Sequence, residues 1–189
     1  ISANGEKGVD NNYNGTGGGG GSGGTVNVTA ANLAGAGTAR ANGAAGGASY
    51  GGSGGGGGRV AIVSTISDNS TLTLQANSGV SGSYRGFNGG AGTVAILGPG
   101  GILYNLTIGN STIFPQANTP IAGASLTFAS MTVNNATVIF DAGSAASIGS
   151  LVAAGSVTMR GGDIAAGSFV VAGTMTLTAG TLTLGASPL

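Results

Sequence analysis

A repeated unit at the start of this chain limits what it can fold into. Each copy begins with Ala-Asn and a small residue, at Ala3-Asn4-Gly5, Ala41-Asn42-Gly43 and Ala76-Asn77-Ser78. Asn42 and Asn77 are 35 positions apart, and Asn4 and Asn42 are 38 apart, so the first copy holds a small insertion. A nearly fixed period of this size is typical of repeat proteins, whose units stack on their neighbours.

Each copy contains a turn signal, a glycine run and a strand-like segment. We expect Ala-Asn-Gly to form a tight turn, since Asn-Gly favours positive φ. The glycine runs at 17–21 and 54–58 are either floppy loops or polyglycine helices packed side by side, because only glycine allows backbones to approach so closely. Their recurrence at one place in each copy favours ordered packing. Residues 54–58 should then lie near 17–21 or 89–92, and Gly56→Val should disrupt that packing.

From residue 98 onward the glycine runs end and short strands follow one another closely. They have the form apolar-Thr-apolar, as in Asn105-Leu106-Thr107-Ile108 and Ser156-Val157-Thr158-Met159. The spacing from Asn105 to Ser125 equals that from Ser125 to Ala145, which suggests successive coils. Strands this short bury an apolar face only when stacked. We therefore predict an all-β fold, a parallel β-solenoid (β-helix). Residues 1–97 form its glycine-rich repeat region and 98–189 a tighter solenoid region, in one continuous elongated domain.

Side-chain alternation on the strands predicts which residues form the core. Successive residues of a strand point to opposite faces, so the Thr of each strand faces outward when its apolar neighbours face inward. The predicted core is Leu106, Ile108, Leu126, Phe128, Val138, Phe140, Val157, Met159, Val170, Met175, Leu177, Leu182 and Leu184.

The composition excludes several classes of function. Charged residues make up 5% of the chain, with five Lys plus Arg against five Asp plus Glu. So few cations cannot neutralise a nucleic-acid backbone. The chain has no His and no Cys, so the commonest general base, metal ligand and disulfide are all lacking. Asp141 and Asp163 are spaced so that they would stack on adjacent coils, but both lie in turn contexts. We expect no enzymatic activity, no cofactor and no membrane span.

One short motif resembles the start of a calcium loop. Asp10, Asn12 and Asn14 place oxygen ligands at alternate positions, and Gly15 follows. The bidentate Glu expected at the twelfth position is replaced by Gly21. Asp10, Asn12 and Asn14 are therefore either calcium ligands or part of an Asn-rich loop tip.

Four aromatic residues lie in the loop portions of the repeats. They are Tyr13, Tyr50, Tyr84 and Phe87. Exposed aromatic rings stack on sugars, so these four residues are candidates for ligand binding.

The glycine-rich copies and the Asn-Leu-Thr-Ile and Thr-Leu-Thr-Leu rungs together resemble the repeats of large secreted bacterial surface proteins, including adhesins and autotransporter passengers. That resemblance implies a right-handed parallel β-helix, an extracellular location and a role in adhesion, a coat or a fibre. The glycine runs at 17–24 and 51–58 also resemble those of phage tail adhesins, whose polyglycine segments carry recognition loops.

Our leading expectation is a structural subunit or segment of an extracellular fibre, coat or surface protein that self-associates through its solenoid ends and faces. The near-neutral composition gives little repulsion between copies, so copies should join head to tail unless the chain continues covalently. The alternative is an adhesin or receptor-binding module that recognises glycans or cell surfaces through the glycine-rich loops. A third is an ice-binding or polysaccharide-active β-helix. Ice binding would use the Thr rows at Thr174, Thr176, Thr178, Thr181 and Thr183.

Overall fold

The computed structural model describes residues 1–10, 16–100, 104–109, 117–123 and 126–185. These residues contain no α-helix and form one sheet of ten strands, in which all pairings but one are parallel. The prediction of an all-β, mostly parallel fold is thus confirmed. The strands are β1 (Thr25–Arg40), β2 (Arg59–Gln75), β3 (Thr93–Leu97), β4 (Tyr104–Ile108), β5 (Thr119–Ile121), β6 (Leu126–Val133), β7 (Thr137–Phe140), β8 (Ala145–Ala153), β9 (Ser156–Val171) and β10 (Met175–Leu184).

The sequence repeat is also a repeat in space. Val26 of β1 lies opposite Val60 of β2, which lies opposite Val94 of β3, so the two steps along the chain are equal. All three valines are buried in one apolar cluster. Equivalent positions of successive copies therefore stack directly on one another, as expected of a repeat architecture.

Six further segments lie beside these strands, and we call them the glycine-rich segments. They are residues 3–9, 17–24, 41–47, 52–58, 76–82 and 86–92. Neighbouring segments are joined by backbone hydrogen bonds at every third residue. The amides of Gly17, Gly20 and Gly23 donate, in that order, to the carbonyls of Tyr50, Ser53 and Gly56. The amides of Ala44 and Gly47 donate to the carbonyls of Gly21 and Gly18. Three residues per turn is the period of the polyproline II helix, which has no internal hydrogen bonds and must bond to its neighbours.

This arrangement confirms that the glycine runs are ordered and packed together. Residues 54–58 contact both 17–24 and 86–92, since Gly23 donates to Gly56 and Gly57 donates to Gly90, each at 2.9 Å. The substitution chosen from the sequence was wrong, however. A Cβ on Gly56 would meet nothing closer than 3.8 Å, whereas one on Gly55 would lie 2.1 Å from the carbonyl oxygen of Gly21. Gly55 therefore restricts the packing, and Gly56 does not.

The Ala-Asn-Gly motif forms no positive-φ turn, contrary to our expectation. Neither Gly5 nor Gly43 has a positive φ, and both lie within hydrogen-bonded glycine-rich segments. The asparagines instead bridge successive copies. The Asn4 side-chain oxygen accepts the amide of Asn42, and the Asn42 oxygen accepts the amide of Asn77, both at 2.9 Å. Bonding between copies therefore accounts for the repetition of this residue.

Beyond β4 the strands stack in three columns. In the first column, Leu126, Ala146, Ile164 and Leu182 lie opposite one another in turn, so successive coils take nearly the same length of chain. The second column runs from β4 through the later halves of β6, β8 and β9. The third joins β5, β7 and the first part of β9, on which the first part of β10 lies. All three columns contribute side chains to one apolar cluster.

The predicted core is correct in its middle and wrong at its end. Leu106, Ile108, Val138, Phe140, Val157 and Met159 are buried, as expected. Thr127 is exposed, and its neighbour Phe128 is half-buried against the core, as are Leu126, Met175 and Leu182. Three predicted core residues, Val170, Leu177 and Leu184, are instead more than half exposed.

Two different causes expose these three residues. Phe169 and Val171 take the inward positions of β9, so the alternation places Val170 outside. Leu177 lies opposite the buried Met159, but no further strand of the described residues covers β10.

The two parts of the sheet meet at the antiparallel pair β3–β4, where Val94 lies opposite Thr107. The apolar residues fall into two clusters, one among β1–β3 and the other mainly from β4 onward. The proposed boundary at residue 97 lies at this junction.

Candidate functional site: an aromatic cluster at the turns of the glycine-rich segments

Within the described part of the chain, the glycine-rich segments reverse direction at two turns of closely similar sequence. Ser49-Tyr50-Gly51-Gly52 connects 41–47 to 52–58, and Ser83-Tyr84-Arg85-Gly86 connects 76–82 to 86–92. In each turn the amide of the last residue donates to the carbonyl of the serine, at 3.4 and 3.2 Å. Gly51 has a φ of +89°, which favours glycine at that position. Both turns therefore place a tyrosine at the same point, next to each other in space.

Serine side chains fasten these turns together. The amide of Gly51 donates to Ser83 Oγ at 2.8 Å, and the Ser81 hydroxyl donates to the carbonyl of Gly52 at 3.2 Å. The amide of Phe87 donates to Ser53 Oγ at 3.2 Å. These bonds join residues about one repeat apart, so the relative position of the two turns is set by the stacking of the copies.

The two tyrosines and an arginine form one cluster. The rings of Tyr50 and Tyr84 meet edge to face, with centroids 5.9 Å apart and an angle of 88° between their planes. The guanidinium carbon of Arg85 lies 4.4 Å from the Tyr50 centroid and 5.6 Å from that of Tyr84. Edge-to-face pairs and cation–π contacts each contribute about 0.5–1 kcal/mol at exposed sites. We call these three residues and Phe87 the tip cluster.

The tip cluster is open to solvent. Tyr50 is 46% exposed, Phe87 66% and Tyr84 82%. Large apolar groups that stay in water while being held in place indicate a binding surface, because burial elsewhere would be more favourable. The structure thus brings together Tyr50 and Tyr84 of the four aromatic residues proposed from the sequence. Phe87 follows the second turn, where its amide bonds to Ser53, and Tyr13 lies outside the described residues.

Arg85 was missed in the sequence, although a signal for it was present. The pattern Ser-Tyr-x-Gly occurs at 49–52 and at 83–86, and Tyr13-Asn14-Gly15 repeats its Tyr-x-Gly part. Alignment of the copies would have shown that the third position varies among Asn14, Gly51 and Arg85. Binding residues often lie on loops held by a rigid scaffold, so a charged residue in this repeated turn is a candidate for binding.

The calcium motif receives no support from its described member. Asn12 and Asn14 lie outside the described residues. Asp10 accepts hydrogen bonds from the amide of Ala48 and from Lys7 Nζ, the latter at 3.3 Å. The Ala48 amide, followed by Lys7, lowers the pKa of Asp10 below its ordinary value of 3.8. Among the described residues, no group of three or more Asp or Glu side chains lies close enough to hold a metal ion.

The carboxylates considered for catalysis are not paired. Asp163 lies opposite Ala145 rather than Asp141, and its side chain accepts the amide of Thr181 at 3.0 Å. The carbonyl of Asp141 accepts the amide of Ser144 within a turn. Asp141 thus lies at a turn, as interpreted from the sequence, whereas the turn interpretation of Asp163 is wrong because that residue lies within β9.

The exposed Thr residues of β10 do not continue as a row of threonines across the sheet. Thr183 lies opposite Ala165, which lies opposite Ser147 and then Thr127. The resulting row is small and polar but mixed, so it lacks the regular Thr array that motivated the ice-binding alternative.

Comparison of this chain with protein-family models, with curated proteins and with solved structures finds no match. Among the described residues, no helix is long and apolar enough to cross a bilayer. The tip cluster and the exposed strand surfaces are therefore the candidate functional regions.

Proposed function

We propose that this protein is a binding module of an extracellular surface protein, an adhesin that recognises glycans through the tip cluster. The exposure of Tyr50 and Tyr84 beside Arg85 carries this proposal. Sugar rings present C–H faces that pack on aromatic rings, and their hydroxyls accept hydrogen bonds from a guanidinium. The resemblance of the glycine runs to those of phage tail adhesins agrees with this assignment.

The rest of the molecule acts as the support of the tip cluster. The three columns of strands, with their nearly constant steps along the chain, support a parallel β-solenoid. The glycine-rich segments project from this stem, and hydrogen bonds at every third residue stiffen them without side chains. A rigid support lowers the entropic cost of binding, because the aromatic side chains are already in place before the ligand arrives.

The test is binding to an array of immobilised oligosaccharides and to polysaccharide gels. We expect Tyr84→Ala to lower affinity for any bound glycan at least about tenfold, since truncation of a central aromatic contact commonly costs more than about 1 kcal/mol. Tyr104→Ala is the matched control, because Tyr104 lies on β4 and is 36% exposed. If both variants bind as tightly as the wild type, glycan binding through the tip cluster is refuted.

A second function, self-association into a fibre or coat, is favoured by a separate observation. β10 pairs only with β9 among the described strands, and its inward-facing Leu177 and Leu184 are 53% and 55% exposed. An unpaired strand edge with exposed leucines favours addition of another strand. We propose that a second copy can supply that strand, and this proposal is independent of the tip cluster.

A further inference from the structure

Arg85 is the one member of the tip cluster that carries a charge, and no carboxylate of the described residues pairs with it. Its contacts in that part of the chain are the faces of Tyr50 and Tyr84. The single ion pair found among the described residues joins Lys7 to Asp10. The positive charge of Arg85 is therefore held in place by aromatic rings rather than by an acid.

The acid closest in the fold to these turns is already engaged. Asp10 is linked to the Ser49–Gly52 turn by the amide of Ala48, and Lys7 neutralises its charge. Within the two described turns, Ser49–Gly52 and Ser83–Gly86, Arg85 is the one charged side chain. A guanidinium presents five N–H donors in a planar fork, and no carboxylate of the described residues pairs with that of Arg85.

Resting on the proposed glycan-binding function, we infer that the tip cluster selects acidic glycans, in which an oxyanion is attached beside a sugar ring. The ring packs on Tyr84, and the oxyanion accepts two parallel hydrogen bonds from Arg85. This bidentate geometry is the one that guanidinium groups form with carboxylates and phosphates. The tyrosine faces hold the side chain in one orientation, so less rotamer freedom is lost on binding.

The experiment compares polygalacturonate with its methyl ester, which lacks the charge, and with a polyanion that has no sugar rings. Affinity electrophoresis is run through gels containing polygalacturonate, its fully methyl-esterified form, or poly(glycerol phosphate). The wild type should bind polygalacturonate at least about tenfold more tightly than the methyl ester, since hydrogen bonds to charged groups are stronger than those to neutral ones. Retardation by polygalacturonate identifies a sugar carboxylate as the oxyanion; retardation by poly(glycerol phosphate) alone overturns the proposal, because that polymer has no sugar ring to pack on Tyr84.

Arg85→Gln should remove this preference while leaving binding to the methyl ester unchanged. Arg85→Lys keeps the charge but not the planar fork, so this variant should retain only part of the preference for the acidic polymer. Arg160→Gln is the matched control, because it removes one exposed positive charge from β9, outside the glycine-rich turns. It should bind all three polymers as the wild type does.

The possible failures are distinguishable. Equal binding to the acid and to its methyl ester, lost in Tyr84→Ala, overturns the selection of acidic glycans and leaves the glycan-binding function standing. An equal loss in Arg85→Gln and Arg160→Gln also overturns it, because the attraction is then unspecific. If no polymer and no arrayed oligosaccharide binds the wild type, the proposed function itself is refuted.

Discussion

At the scale of single residues, adjacent glycines have different importance. A Cβ on Gly55 would lie 2.1 Å from the Gly21 carbonyl oxygen, whereas the atoms nearest to a Cβ on Gly56 would be 3.8 Å away. Gly55→Ala should therefore lower the free energy of unfolding by at least about 1–3 kcal/mol, as overpacking does. Gly56→Ala should leave it unchanged or raise it by up to about 1 kcal/mol, because alanine restricts the unfolded chain.

Urea unfolding of these two variants checks this prediction, and each serves as the control for the other. Equal destabilisation would mean that Gly55 and Gly56 are equally confined, which contradicts the segment packing described above.

The Asp10 side chain gives a pH-dependent link at the same scale. The hydrogen bonds from Ala48 and Lys7 favour the charged carboxylate and lower its pKa below 3.8. Their stabilising contribution is therefore present above the unfolded pKa and is lost as the pH falls through the lower, folded pKa. The Ala48 amide resonance should shift with a midpoint below pH 3.8. In Asp10→Asn that titration should disappear, and a midpoint at or above the ordinary value would show that the bond is not formed.

At the scale of elements, each strand's contribution depends on its place in the stack. Phe140 of β7 is fully buried, whereas Val170 of β9 is 58% exposed although both were expected in the core. Phe140→Ala should cost about 3–5 kcal/mol, and Phe128→Ala clearly less because that ring is half-buried. Val170→Ala is the control and should change stability by less than about 0.5 kcal/mol. Thermal and urea unfolding test this order of stability losses. If Val170→Ala lowered the free energy of unfolding as much as Phe140→Ala, the inward placement of Phe169 would be contradicted.

At the scale of the whole molecule, the proposed self-association depends on the uncovered face of β10. Replacing both Leu177 and Leu184 by Ser should abolish concentration-dependent growth, because the apolar surface that a second copy would cover is removed. Sedimentation velocity and electron microscopy measure this, with Ile66→Ser, another exposed apolar residue, as the control on β2. Strictly monomeric wild-type protein at high concentration would refute association through this surface.

The sequence by itself determined the period of the repeat, the all-β class and much of the core. Val138 and Phe140 of β7, and Val157 and Met159 of β9, follow from alternation within each strand, which is a local property of the backbone. Ordered glycine packing also follows, since a run without side chains has little other means of burial than close backbone contact.

Only the tertiary structure decided which residues meet across copies. Three contacts join residues about one repeat apart. They are the hydrogen bond between Asn77 and Asn42, the close approach of Gly55 to Gly21, and the contact of Arg85 with Tyr50. Their geometry depends on the register between stacked copies, which no local pattern specifies. The same holds for Leu177, whose place on β10 obeys the alternation but whose exposure depends on whether another strand lies above it.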